Sequence, residues 1–290
     1  MTDRLFAFRW DVDHRYCVTD GIPPIREVCR DLRVPNTFFV NMGRSTNLAL
    51  WLSGLGKTRA KLQDADAVHL IQKLGWPRFL LDTIWSRPVG LGFPRELKAL
   101  QDEGHELGLH GGMDHVVWSR SFAAIPEDVL AADVTDSCER FTSLFGRPAG
   151  FASPGFYSDE RVARILDRLG LAYDGDGIGG APRRNGAHWT IPVTLVGKGT
   201  IPFLEFHGAR RTPEADFLRD YERHLDANTR VVVYGHPCYE GVRPHLLRAL
   251  FERALSRGFR FATLAEIARS LDADSARPTP APGAATEHAR

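Results

Sequence analysis

Leu5-Phe6-Ala7-Phe8-Arg9-Trp10-Asp11-Val12-Asp13 is the stretch on which the reading of the fold turns. Residues 5–10 form an apolar run of strand length, and the run ends in two carboxylates two positions apart. On an extended chain such residues share a face, so both carboxylates can point into one mouth. Two close carboxylates repel unless a cation or a proton lies between them. A divalent metal answers that repulsion, with one Asp as its ligand and the other standing apart as a base. The plainer reading is a pair of turn-capping aspartates after a strand, and the Asp-x-Asp pattern alone does not decide between them.

Working outward, the runs 37–41, 106–109, 150–152 and 231–234 also read as buried strands. Residues 22–32, 94–103, 126–144, 159–169 and 243–257 read as amphipathic helices, with Asp159 and Pro126 as helix starts. Strand-then-helix repetition over 290 residues predicts a parallel α/β sheet, either a barrel or an open doubly wound sheet. In a barrel, reactive groups belong at the C-terminal strand ends, where Asp11 and Asp13 stand. The expected organisation is one domain over 1–272, with an insertion at about 44–92 and a tail at 273–290. The tail is small, polar and Pro-rich, a composition that does not pack. The insertion carries Trp51, Trp76 and Trp85, and reads either as extra helices packed on the barrel or as a lid or membrane-surface contact.

Several function classes fall away. With 37 basic against 36 acidic side chains and a net charge of +1, there is no electrostatic case for nucleic acid. Cys17, Cys29, Cys138 and Cys238 are widely spaced, which argues against a disulfide framework or a cysteine zinc site. Gly54-Leu55-Gly56-Lys57-Thr58 mimics a phosphate loop, but Trp51 stands where that pattern needs its first glycine. No apolar run approaches the ~20 residues that span a bilayer, and the beginning lacks a cationic-then-apolar pattern. The expected location is cytoplasmic, with the inner face of the membrane as a variant. Oligomeric state is not specified.

Two further strands end in histidine. In Gly104-His105-Glu106-Leu107-Gly108-Leu109-His110, the strand delivers His110 to its end, and Gly111-Gly112-Met113-Asp114-His115 follows as a glycine-rich turn. Two imidazoles near a carboxylate from another strand suit zinc or a similar ion, and three protein ligands leave positions open for hydrolysis. Val231-Val232-Val233-Tyr234-Gly235-His236 ends in a candidate general acid, since imidazole titrates near working pH.

Taken together and in this order, Asp11-Val12-Asp13, His110 with His115, and His236 resemble the NodB-type polysaccharide deacetylase family. They are most similar to its branch that deformylates undecaprenyl-phosphate-linked aminoarabinose. The likeness runs from about Phe6 to Ile267 and includes Asn41-Met42-Gly43-Arg44, Trp118, and Ile191-Pro192-Val193-Thr194-Leu195. It implies an irregular (β/α) barrel. Asp11 would match the base that activates water, and Asp13, His110 and His115 the ligands of a divalent metal, foremost Zn2+. His236 would match the acid that protonates the leaving amine. Pro154 and Gly155 would match a groove-forming substrate loop, and Asp176 an acidic residue near the acid histidine.

The pattern departs from the family in two places. Four residues, rather than three, separate the ligand histidines, which keeps Asp114 as a rival to His115. A helix through this stretch would turn His115 roughly 140° from His110, whereas a bulged loop at the two glycines restores it. Ala152 stands where many members carry an arginine that orients the base, which leaves the partner of Asp11 unassigned. The expected activity is removal of a formyl or acetyl group from the nitrogen of an aminosugar, small or lipid-linked. The alternatives are hydrolysis of a non-sugar amide or cyclic ureide, and a catalytically silent sugar-binding barrel.

Overall fold

The computed structural model describes residues 4–46, 73–84, 88–112 and 115–275. Trp51, Trp85 and the Gly54–Thr58 stretch therefore lie outside the described residues, as does most of the expected insertion. So does the expected tail beyond Ser275.

Nine strands of the described residues form one sheet: β1 (Leu5–Val12), β2 (Thr37–Val40), β3 (Glu106–His110), β4 (Gly150–Ala152), β5 (Tyr173–Asp174), β6 (Arg183–Asn185), β7 (His188–Thr190), β8 (Arg230–Gly235) and β9 (Arg260–Phe261). Their order is β6-β7-β5-β4-β3-β2-β1-β8, with β9 beside the first residues of β1, before β2 begins. All pairings are parallel except the β6–β7 hairpin. The path does not stop at β7. Ile191 N donates to Asp174 O, Val193 N to Gly177 O, and both Thr194 N and Leu195 N to Val232 O of β8. The Thr194 hydroxyl accepts from Val232 N at 2.9 Å. The Ile191–Leu195 segment thus closes the sheet into a barrel, and the doubly wound alternative is set aside.

Helices α1 (Ile22–Leu32), α2 (Trp76–Ile84), α3 (Pro94–Asp102), α4 (His115–Ser121), α5 (Glu127–Phe145), α6 (Glu160–Leu169), α7 (Phe203–Ala209), α8 (Glu214–Ala227), α9 (Pro244–Ser256) and α10 (Leu264–Ser275) accompany the sheet. Helix α6 starts at Asp159, whose carboxylate accepts from Arg161 N, and ends at Gly170 in the left-handed region.

Strand β1 shows how the sequence sorts its two faces. Phe6, Phe8, Trp10 and Val12 join the core between sheet and helices. Leu5 and Ala7 join a second cluster with Phe39, Ala152, Tyr173, Ile191, Val232 and Tyr234, which fills the barrel. By the same period of two, Arg9, Asp11 and Asp13 continue up the inner face. Because the strands are parallel, the ends of β1, β3, β4 and β8 meet at one mouth.

Candidate active site

Six of the residues singled out from sequence gather at that mouth. Asp11, Asp13, His110, His115, Gly155 and His236 all line one cavity of about 320 Å³. Phe156, Tyr157, Ile201, Pro202 and Tyr234 supply its apolar wall.

Asp11 has a partner after all, two residues back on its own strand. Arg9 is fully buried and donates to Asp11 Oδ1 from Nε (3.1 Å) and Nη2 (2.9 Å), and to Oδ2 from Nη2 (2.9 Å). Its Nη1 donates to Gly175 O at 2.5 Å. The rings of Phe39, Phe156 and Tyr234 surround the guanidinium at 4.9–5.5 Å. Burial works against the charge of Arg9, but Asp11 outweighs it and raises the guanidinium pKa further. An arginine that contacts Asp11, absent at position 152, is thus supplied from two residues back on the same strand.

Asp13 Oδ1 lies 3.0 Å from His110 Nε2 and 3.3 Å from His115 Nε2. The three ligating atoms lie within 4.8 Å of one another. His110 Nδ1 sits 2.9 Å from Ala152 O, a carbonyl that can only accept, so this nitrogen carries a hydrogen and Nε2 is the one that faces Asp13. Asp13 Oδ1 and His115 Nε2 are buried with no hydrogen-bond partner among the described residues. An imidazole nitrogen and a carboxylate oxygen at 3.0 Å call for a proton or a cation between them. Burial opposes the Asp13 carboxylate, yet His115 and His110 hold it well below the usual range. Burial likewise opposes charge on His110, while Asp11 and Asp13 raise its pKa. Two imidazole nitrogens and one carboxylate oxygen, two of them orphaned, fit a divalent cation such as Zn2+.

The surrounding loops hold these groups in place. Asn41 Oδ1 accepts from Gly43 N (2.8 Å), and its amide reaches Asp13 O (3.5 Å). Ser45 donates its hydroxyl to the same carbonyl. His115 N donates to Arg44 O at 3.2 Å, tying the start of α4 to the loop after β2. Trp118 Nε1 donates to Tyr157 O at 2.9 Å, pinning that helix to the mouth wall. Gly111 adopts φ +68°, and a Cβ there would meet Pro154 at 2.6 Å. Asp114 lies outside the described residues, whereas His115 opens α4 and points its Nε2 at Asp13.

No protein-family model matches the chain. It is 25% identical over 223 residues to a probable 4-deoxy-4-formamido-L-arabinose-phosphoundecaprenol deformylase, ArnD, of Shewanella sediminis, covering 69% of this chain and 68% of that protein. A solved structure described as a polysaccharide deacetylase from Mycobacterium smegmatis superposes with a TM-score of 0.64 at 17% identity, over 98% of this chain and 96% of the other. The fold is that of the NodB-type polysaccharide deacetylases. PuuE allantoinase superposes on it nearly as well, with a TM-score of 0.62 at 15% identity, over 94% of this chain and 92% of the other. The deacetylase fold therefore does not by itself separate sugar amides from ureides.

His236 ends β8 with Nε2 turned to the mouth, 3.5 Å from Asp13 Oδ2. Its Nδ1 lies 2.6 Å from Glu205 Oε1, at the start of α7. Burial and Lys73 act against the imidazolium, but Glu205 and Asp13 prevail and raise its pKa to about 9. This corrects the expectation for Asp176. That side chain accepts from Ser153 N (2.8 Å) and Ser153 Oγ (2.6 Å), and lines a neighbouring cleft rather than the mouth. Burial and nearby Asp174 push its carboxyl up to about 6. The acidic neighbour of His236 is Glu205, not Asp176. Pro154 packs behind Gly111 and leaves Gly155 to face the cavity. His14, next to Asp13 and marked by no sequence motif, meets Asp82 Oδ2 of α2 through Nδ1 at 2.9 Å.

Proposed function

We propose that the chain is a metal-dependent hydrolase that removes a formyl or acetyl group from the nitrogen of an aminosugar. The observation that carries this reading is the convergence on one mouth of three parts. These are Asp11 clamped by Arg9, the orphaned Asp13–His110–His115 triad, and His236 backed by Glu205. Asp13, His110 and His115 would hold the cation, foremost Zn2+. When bound, it supplies Lewis acidity toward an acyl oxygen. Asp11, oriented by two guanidinium nitrogens of Arg9, takes the proton of the attacking water. His236 carries a proton on Nε2 into the mouth and gives it to the departing nitrogen, which is a poor leaving group without it. Phe156, Tyr157 and Tyr234 offer flat apolar surfaces to the sugar.

Likeness to the Shewanella protein supports a formamido sugar on a lipid carrier as the substrate. An apolar stripe beside the mouth supports contact with a membrane face. Trp76, Leu80 and Ile84 of α2 are 57%, 44% and 56% exposed at intervals of four, while Phe79, Asp82 and Thr83 are buried. No helix of the described residues is long and apolar enough to cross a membrane. Trp76→Ser/Ile84→Ser should reduce co-sedimentation with anionic vesicles, and unchanged sedimentation removes the membrane part of the proposal.

The function is tested with metal-loaded protein on N-formyl and N-acetyl aminosugars, free and lipid-linked, scored by release of formate or acetate. Asp11→Asn and His236→Gln should abolish most turnover. No release from any of these substrates, or turnover unaffected by Asp11→Asn, overturns the reading. The resemblance to PuuE allantoinase favours a second reading, opening of a cyclic ureide. Turnover of allantoin exceeding that of every sugar amide would establish it. A silent sugar-binding barrel would bind sugar equally well after Asp11→Asn and after metal removal.

A further inference from the structure

Behind the mouth lies a second cluster built around His236, and the chemistry above leaves part of it unexplained. Glu205, His236 and Glu240 bring one ligating atom each within 4.8 Å of the others, the same kind of grouping as the Asp13 triad. Here, however, the chain supplies the cation itself. Lys73 Nζ lies 2.5 Å from Glu205 Oε1 and 3.2 Å from His236 Nδ1. Only 10% of its side chain is exposed, so it is committed to this site rather than solvated. Burial opposes its charge, but Glu205 holds the ammonium on.

We infer that Lys73 is a positioning residue for the acid histidine, an ammonium standing where a second metal would sit. The inference rests on His236 being the proton donor proposed above. Among the described residues, Glu205, Lys73 and Glu240 hold His236 from behind. Nδ1 donates to Glu205, the Lys73 ammonium stands 3.2 Å from the same nitrogen and donates to Glu205, and Glu240 Oε2 accepts from the backbone N at 2.7 Å. Nε2 alone faces the mouth. Glu205 without a cation would be a buried carboxylate with only the imidazole to answer it, and the ring would follow the carboxylate. With Lys73 bonded to the same oxygen, Glu205 is anchored from a part of the chain 132 residues away, and the ring is held between two fixed groups. Burial and Glu205 push the Glu240 carboxyl up to about 8, so it enters the cluster protonated near neutrality and adds no second negative charge.

The test separates acid assistance from general damage by the leaving group. An amide needs the proton; a 4-nitrophenyl ester of the same acid does not. Lys73→Met should lower kcat on the N-acyl aminosugar about tenfold or more, a fraction of what a general acid contributes. KM, bound metal and ester hydrolysis should stay close to wild type, and Lys73→Arg should recover part of the loss. His236→Gln should show the same amide-selective pattern, only deeper. If Lys73→Met lowers ester and amide turnover alike, or neither, while His236→Gln is amide-selective, the Lys73 role is refuted and the acid assignment stands. If His236→Gln leaves amide turnover intact, both fall together.

Discussion

Removing Arg9 tests the design of the barrel interior more sharply than removing any mouth residue. In Arg9→Met the apolar stem is replaced, but Asp11 stays in place, 4% exposed, with no guanidinium. Breaking a buried ion pair from one side costs about 3–5 kcal/mol, because the remaining charge is left uncompensated. Three contacts to Asp11, the bond to Gly175 O and three ring faces are lost together, which places Arg9→Met at the upper end. That loss corresponds to a fall in Tm of roughly 10 °C in a chain of this size. The double variant Arg9→Met/Asp11→Leu removes both charges, and exchanges of that kind are often neutral. It should therefore unfold at higher urea than Arg9→Met alone. Urea titrations of wild type, both singles and the double, on metal-free protein, measure the coupling directly, because bound metal would otherwise add its own stabilisation. An Arg9→Met cost below about 1 kcal/mol, or a double variant no more stable than Arg9→Met, would refute the buried-pair account.

Three other outcomes are expected. Chelation should strip one equivalent of divalent metal and all turnover together, and His110→Ala and His115→Ala should each fail to rebind it; metal retained by His115→Ala but lost by Asp114→Ala would transfer the ligand role. The pKa of His236 is raised from 6.5 to about 9 in the folded chain, so its stabilising contribution is complete below about pH 6.5 and is lost as pH rises through about 9. The stability gap between wild type and His236→Gln should shrink by roughly 3 kcal/mol across that window in urea titrations, and a gap that widens contradicts it. Gly111→Ala meets both a φ of +68° and Pro154 at 2.6 Å. It should cost about 1 kcal/mol or more and weaken metal affinity through displacement of His115, which isothermal titration of the apoprotein would detect.

What could be read from sequence, and what could not, follows from the strength of the strand signals. β1, β3 and β8 are five to eight residues long and mostly apolar, so the residues at their ends (Asp11, Asp13, His110 and His236) stand out with them. β5, β6, β7 and β9 are only two or three residues long and have no run to detect. Asp176 was misjudged for that reason: after the two-residue β5 the chain turns through Gly177 at φ +101°, and the carboxylate meets Ser153. Glu205 reaches the mouth, and Lys73, His14 and Asp82 its surroundings, from helices or loops, where side chains pack without a strand's alternation, and nothing local marks them. Arg9 is different. The period-two rule that pairs Asp11 with Asp13 also pairs Asp11 with Arg9, and the clamp was present in the opening motif.

The closure of the barrel by Ile191–Leu195 gives the two halves of the mouth unequal stiffness. β1 and β3, which carry the base and the histidine at the triad's centre, are flanked on both sides by parallel ladders. β8 has a six-residue ladder to β1 on one side, but on the other only a few bonds converging on Val232. Local opening starts where backbone pairing is thinnest. The side of the proposed metal ligands is thus the more firmly paired, and compliance is concentrated beside His236, where a proposed proton donor would have to meet departing groups of different bulk.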